Sequence, residues 1–163
     1  MKKRSIIIDT DPGIDDAVAI AIALFSEELN VKLFTTVAGN VSVEQVTNNL
    51  LKLLMFWDKK IPVAMGAASP IIEPFIDASN VHGSTGLSGY DFPAPNYSLL
   101  LKEHAVEALR RTLSESEDKI TIVPIGPLTN IAYLLRLYPE IKPKISEIVL
   151  MGGSTTRGNK SIM

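Results

Sequence analysis

The chain contains no cysteine, which removes disulfides, thiolate metal ligands and a cysteine nucleophile together and fits a reducing compartment. It also lacks a basic surplus. Sixteen Lys and Arg stand against eighteen Asp and Glu, a net charge of -2, so the sequence offers no excess charge to neutralise a nucleic-acid backbone and no nucleic-acid partner is expected. Long apolar runs are missing too. The longest, Ala17 to Phe25, is about half of what a membrane-crossing helix needs. Lys2, Lys3 and Arg4 are followed by only Ile6-Ile7-Ile8 before Asp9 and Asp11 interrupt, a pattern that predicts no export signal and no membrane partner. A cytoplasmic location is the expectation.

What is present suits a soluble globular fold: 46% hydrophobic residues and 21% charged residues, with no low-complexity tract or internal repeat. At 163 residues a single domain over 1–163 is expected, removing about 68–70% of its unfolded surface from water. Ser5–Ile8 reads as a strand ending at Asp9, and Ile14–Phe25 as a helix with acidic residues in its first turn. Val31–Val37 is the next strand. Ser42 with Gln45 three residues on forms a capping box, and Val43, Val46, Leu50, Leu53 and Trp57 follow at helical spacing. Pro62–Met65 is a short strand; the Pro-, Ser-, Gly- and Asn-rich stretch from Gly66 to about Ser98 is too long for a simple connector and predicts a functional loop or an inserted flap.

His104–Leu113 reads as a helix and Ile120–Pro124 as a strand. Gly126-Pro127 opens a further helix, with Pro at its first position, and Pro139 closes it. Ile148–Met151 is the fifth strand. Strands alternating with helices, and apolar runs in place of polar/apolar alternation, predict an α/β fold with a mostly parallel sheet covered on both faces. The chain stops ten residues after Gly153, at a point where such a fold would continue, which points to a truncated domain.

In open α/β sheets ligands bind beyond the carboxyl ends of the strands, and the polar residues of this sequence fall there. The first strand runs into Asp9-Thr10-Asp11-Pro12-Gly13-Ile14-Asp15-Asp16, four carboxylates in eight residues. Left alone in a concave site they repel one another; a hard cation with oxygen ligands is the natural counterweight, and Pro12-Gly13 folds the loop so that Asp11 and the Asp15/Asp16 pair face one point. The plainer account has Asp15 and Asp16 complementing a helix dipole while Asp9 and Asp11 cap backbone amides. Taken alone, His82 reads as a surface loop residue, Asn40 as a turn residue and Met151 as core.

Asp9-Thr10-Asp11-Pro12-Gly13-Ile14-Asp15-Asp16-Ala17 resembles the nucleoside hydrolase family, the inosine–uridine-preferring nucleoside N-ribohydrolases. The likeness continues at Thr36-Val37-Ala38-Gly39-Asn40, Val81-His82-Gly83, Val123 through Asn130, Met151-Gly152-Gly153 and Arg157-Gly158-Asn159, in the family's order along the whole chain. The resemblance implies a Rossmann-like nucleoside hydrolase fold. It also implies Ca²⁺-dependent hydrolysis of the N-glycosidic bond of ribonucleosides, as in purine and pyrimidine salvage. By position, Asp11 would be the general base and a metal ligand, Asp16 a metal ligand, and the Ile125 carbonyl a third. Asp15 and Asn40 would hold ribose hydroxyls, Met151 and Asn159 would lie near the 5′ end of the ribose, His82 beside the nucleobase, and Asp9 would support the loop.

The family also implies a homo-oligomer and roughly as many residues again. That further half would supply another metal-binding aspartate, an adjacent histidine and a Glu/Asn pair for the ribose. Two other readings follow from the same residues. An apolar strand ending in Asp-x-Asp also resembles haloacid-dehalogenase-type phosphatases, with Asp9 as nucleophile, although Pro12-Gly13 and Asp15-Asp16 depart from that pattern. A truncated metal- or ribose-binding remnant without turnover is the non-enzymatic alternative.

Overall fold

The computed structural model describes residues 2–76, 83, 85–153 and 155. Five strands, β1 (Arg4–Thr10), β2 (Leu29–Thr36), β3 (Val63–Met65), β4 (Ile120–Pro124) and β5 (Ile145–Ile148), form one sheet in the order β3-β2-β1-β4-β5. Every pairing is parallel, as the unbroken apolar runs predict. Among the described residues the α-helices are α1 (Ile14–Phe25), α2 (Val43–Phe56), α3 (Ala105–Glu115) and α4 (Thr129–Leu137).

Alternation along each strand sorts the core into two layers. Ile7, Leu33, Ala64, Ile120 and Ile122 face α3 and α4, where Ala108, Leu109, Leu113 and Leu134 are sealed from solvent. Ile6, Ile8, Phe34 and Val63 face the other way, onto Ile20 and Ala23 of α1 and Leu50, Leu53 and Leu54 of α2. Helices thus lie on both faces. The chain moves from β1 outward to β2 and β3, then returns to place β4 on the opposite side of β1, which makes the β1/β4 boundary the topological switch point.

Local chemistry explains most of the boundaries. The Ser42 hydroxyl accepts the Gln45 N–H at 3.4 Å at the start of α2, and the His104 ring accepts the Val106 N–H at 3.3 Å at the start of α3. Two expectations need correction. The fourth helix begins at Thr129, behind a Leu128 cap, so Pro127 lies ahead of the helix and not at its first position. Pro139 does close it, and then opens a 3₁₀ turn over Pro139–Lys144. The fifth strand is Ile145–Ile148, earlier than read from Ile148–Met151, because pairing with β4 begins at Ile120↔Ile145. The expected segment nevertheless keeps contact with β4: the Val149 N–H donates to the Ile122 carbonyl at 2.9 Å and the Met151 N–H to that of Pro124 at 3.0 Å.

Part of the long connection after β3 is anchored on α2. Leu87 is buried in the α1/α2 layer, the Asn49 amide donates to the Thr85 carbonyl at 2.8 Å, and Tyr90 and Phe92 stack edge-on against Phe56. The layering sets an energetic expectation. Leu109→Ala opens a cavity between α3 and the sheet and should cost about 2–5 kcal/mol. Leu137→Ala, on an exposed side chain, should stay within about 0.5 kcal/mol. Urea unfolding of both variants checks this, and equal losses would contradict the assignment of the core.

Candidate active site

The site is built on Asp9, the residue that closes the polar end of β1. Its side chain has no exposure; Oδ1 accepts from the Thr35 hydroxyl of β2 and from the Asn130 amide of α4 at 2.8 Å, while Oδ2 is buried without a partner among the described residues. Asn130 continues the network. The same amide nitrogen donates to the Thr36 carbonyl at 2.9 Å, and its oxygen accepts the Ala67 N–H at 2.9 Å. Gly66 makes room for this, since a Cβ there would strike the Asn130 carboxamide and come within 2.6 Å of the Thr36 carbonyl. Such burial argues against Asp9 as a nucleophile that a phosphate must reach from solvent.

Across the switch point, the Asp9 carbonyl accepts from the N–H groups of Ile125 and Gly126 at 2.8 and 3.3 Å. The backbone after β4 is thereby fastened to the turn that carries Asp11. The Asp11 carboxylate lies between two glycines: a Cβ on Gly126 would come within 2.7 Å of Oδ1, and one on Gly39 would collide with Oδ2. Asn40 holds Asp11 twice, by its backbone N–H to Oδ2 and by its side-chain amide to the Asp11 carbonyl, both at 2.8 Å. Below this turn, Asn49 of α2 donates to the Pro12 carbonyl at 3.3 Å.

Asp16 turns back from the first turn of α1 toward the same point. Oδ1 accepts from the Thr10 hydroxyl at 3.0 Å, and Oδ2 accepts from the Gly13 N–H at 3.1 Å and from the Asn40 amide at 3.3 Å. One residue, Asn40, therefore touches both carboxylates. Asp15, its neighbour, stands exposed on the helix surface. Met151 is exposed beyond β5, and His82 and Asn159 lie outside the described residues. The structure thus gathers Asp9, Asp11, Asp16, Asn40 and the backbone of Ile125. Asn130 and Asn49 were given no role in the sequence reading; the former's place directly after the Gly126-Pro127-Leu128-Thr129 run was the available signal.

Burial pushes the Asp9 carboxyl up to about 7, against the pull of its Asn130 and Thr35 hydrogen bonds. The Asp11 carboxyl is likewise pushed up to about 7, first by burial and then by the charge of Asp16, with the Asn40 N–H opposing. The all-oxygen donor set and the crowding of like charge suit a hard cation. Among the described residues no group of three or more His, Asp or Glu is arranged to hold one.

Comparison with known proteins is consistent across three kinds of likeness. The family profile described as inosine-uridine preferring nucleoside hydrolase matches residues 6–163. Non-specific ribonucleoside hydrolases RihC of Klebsiella pneumoniae subsp. pneumoniae and Salmonella agona are 54% and 56% identical over 154 residues, covering 94% of this chain and 50% of each relative. An inosine-guanosine nucleoside hydrolase superposes with TM-score 0.87 at 36% identity, covering 97% of this chain and 52% of that one. The purine-preferring ribonucleoside hydrolase from Gardnerella vaginalis gives 0.88 at 32% identity, covering 96% and 51%. The chain spans about half the length of the curated relatives it matches.

The raised carboxyls set the pH response of the cation-free chain. Between the ordinary value of 3.8 and about 7, the folded state holds protons on Asp9 and Asp11 that the unfolded chain has released. Their contribution to stability is therefore lost as pH rises through that window. The isosteric Asp9→Asn variant, which cannot ionise, should lose less melting temperature between pH 5 and pH 8 than the parent. Identical slopes in thermal melts would show that Asp9 ionises freely in the fold.

Proposed function

The chain belongs to the inosine-uridine preferring nucleoside hydrolase family, and from that premise we propose that it supplies the water-activating half of a ribonucleoside N-ribohydrolase site. The reaction would cleave the N-glycosidic bond to give ribose and free base. The observation that carries this reading is the convergence of Asp11 and Asp16 on Asn40 at the β1/β4 switch point. Two crowded carboxylates beside a ligand crevice match chemistry in which positive charge develops on a sugar.

Asp11 is the general base: it takes a proton from the attacking water. Its position is determined by the Asn40 N–H and by the gap between Gly39 and Gly126, which any side chain would close. Asp11 and Asp16 also stabilise an oxocarbenium-like ribosyl cation electrostatically, an effect strengthened by their burial. In this reading the exposed Asp15 accepts, and the Asn40 carboxamide donates, hydrogen bonds with ribose hydroxyls. His82 beside the base and Met151 and Asn159 toward the 5′ end complete the substrate contacts in this reading.

Asp11, Asp16 and the Ile125 carbonyl would hold a Ca²⁺, with the remaining ligands coming from outside the described residues. When bound, the cation supplies positive charge that orients the ribose diol and makes a nearby water more acidic. Homo-oligomerisation and a cytoplasmic setting belong to the same reading. Among the described residues no helix is long and apolar enough to cross a membrane.

The test restores a full-length polypeptide by fusing this chain to the second half of a RihC relative. Ribose release from inosine, uridine, adenosine and cytidine is then measured with Ca²⁺ and with chelator. Release should depend on the metal and fall by about 10²–10⁴-fold or more in Asp11→Ala, with the melting temperature little changed. Asp16→Ala should weaken Ca²⁺ binding in calorimetry. Full ribose release by Asp11→Ala would remove it as the base, and unchanged calcium affinity would remove Asp16 from the shell.

A further inference from the structure

The buried side of α2 is apolar at Val46, Leu50, Leu53 and Leu54, and Asn49 interrupts it. Asparagine is disfavoured inside a helix because its amide competes for backbone groups, and a buried amide must also find partners. Asn49 is 2% exposed, and both ends of its carboxamide are bonded. The oxygen accepts from the Gln45 amide at 2.9 Å, within the helix. The nitrogen reaches out of the helix and donates to two backbone carbonyls that are far apart in sequence, Pro12 at 3.3 Å and Thr85 at 2.8 Å.

One of these carbonyls follows directly on Asp11. Pro12 has no N–H, so the carbonyl is the one hydrogen-bonding group it offers. The carbonyl just before it, that of Asp11, accepts from the Asn40 amide at 2.8 Å. Two carboxamides therefore grip successive carbonyls of the turn that aims the Asp11 carboxylate. The other carbonyl belongs to a segment that lies against α2. Leu87 is buried in the α1/α2 layer, and the Gly86 N–H donates to the Gly83 carbonyl at 3.0 Å. Gly86 has φ +73, where a side chain is strained, and a Cβ there would come within 3.1 Å of Val41 and 3.3 Å of the Asn49 nitrogen.

We propose that Asn49 is a positioning residue that locks the Asp11 turn and the Thr85–Leu87 segment into one unit. It acts on Asp11 through the Pro12 carbonyl and is not itself catalytic. Removing the amide releases both carbonyls at once, so the turn after β1 and the segment on α2 move independently and Asp11 spends less time facing its water. The effect on rate rests on the reading of Asp11 as the base; the lock itself does not.

The experiment uses the full-length fusion with the second half of a RihC relative. Asn49→Leu keeps a side chain of similar size but donates nothing. It should speed amide hydrogen exchange at Gly13 and Gly86 at least tenfold and lower kcat for inosine at least tenfold at a temperature where the protein is folded. Leu54→Ala, a sealed position of the same helix, should lower the melting temperature while leaving that exchange and kcat within threefold of the parent. Gly86→Ala, which crowds the amide from the other side, should speed exchange at Gly13 and lower kcat at least threefold, yet add nothing in the Asn49→Leu background. Unchanged exchange at Gly13 in Asn49→Leu, a kcat no lower than that of Leu54→Ala, or fully additive losses in the double variant would each overturn the proposal. Should Asn49→Leu not fold, exchange at Gly13 in Gly86→Ala decides. A parent fusion that releases no ribose removes the hydrolase reading, and hydrogen exchange then decides the lock by itself.

Discussion

A carboxylate with no access to water, at the end of the central strand, is the constraint on which the site depends. Burying Asp9 as a carboxylate carries a desolvation cost of several kcal/mol that hydrogen bonds or a bound proton must offset. Thr35 and Asn130 provide them, and Asn130, being buried itself, needs partners in turn. It finds the Thr36 carbonyl and the Ala67 N–H, so one polar network ties β1, β2, the segment after β3 and the first turn of α4. Because the Asp9 carbonyl also holds Ile125 and Gly126, the register across the switch point is tied to the same residue.

Asp11 inherits its position from that arrangement. Two residues beyond a rigid Asp9, it projects into a gap that exists because Gly39 and Gly126 carry no side chain. Asn40 and the Gly13 N–H, a free donor at the start of α1, compensate Asp11 and Asp16 with neutral dipoles. The ion pairs among the described residues involve Lys2, Arg4, Arg110 and Arg111, none of which is paired with a site carboxylate. The raised pKa of the Asp11 carboxyl follows from its burial first and from the charge of Asp16 second.

Much of this was legible in the residues. Ile14–Phe25 and Ile120–Pro124 matched to the residue, because each is bounded by an unambiguous signal: Pro12-Gly13 before the helix, and Gly126-Pro127 just beyond the strand. The start of α4 was not, since Pro127 is equally compatible with the first helical position and with the turn before it. Among the four aspartates, sequence proximity could not say which face inward. Asp15 and Asp16 are about 100° apart around the helix, and only the tertiary position of Thr10 and Asn40 selects Asp16. Asn130 was overlooked for a related reason: a polar residue in the first turn of a helix looks like a local cap, whereas its partners are 121, 94 and 63 residues away.

The site and an apolar groove over β1 and β4 share a single element. The N-terminal turn of α1 carries Asp15 and Asp16, while Ala19, Ile22 and Ala23 of the same helix wall the apolar groove. The two faces of one helix thus serve two ends, the buried Asp16 at its start and the apolar wall further along. The groove floor and the crevice are built from the same two strands, β1 and β4: Ile6, Ile8 and Val123 face the apolar side, while the carboxyl ends of the strands carry Asp9 and run on into Asp11 and Ile125.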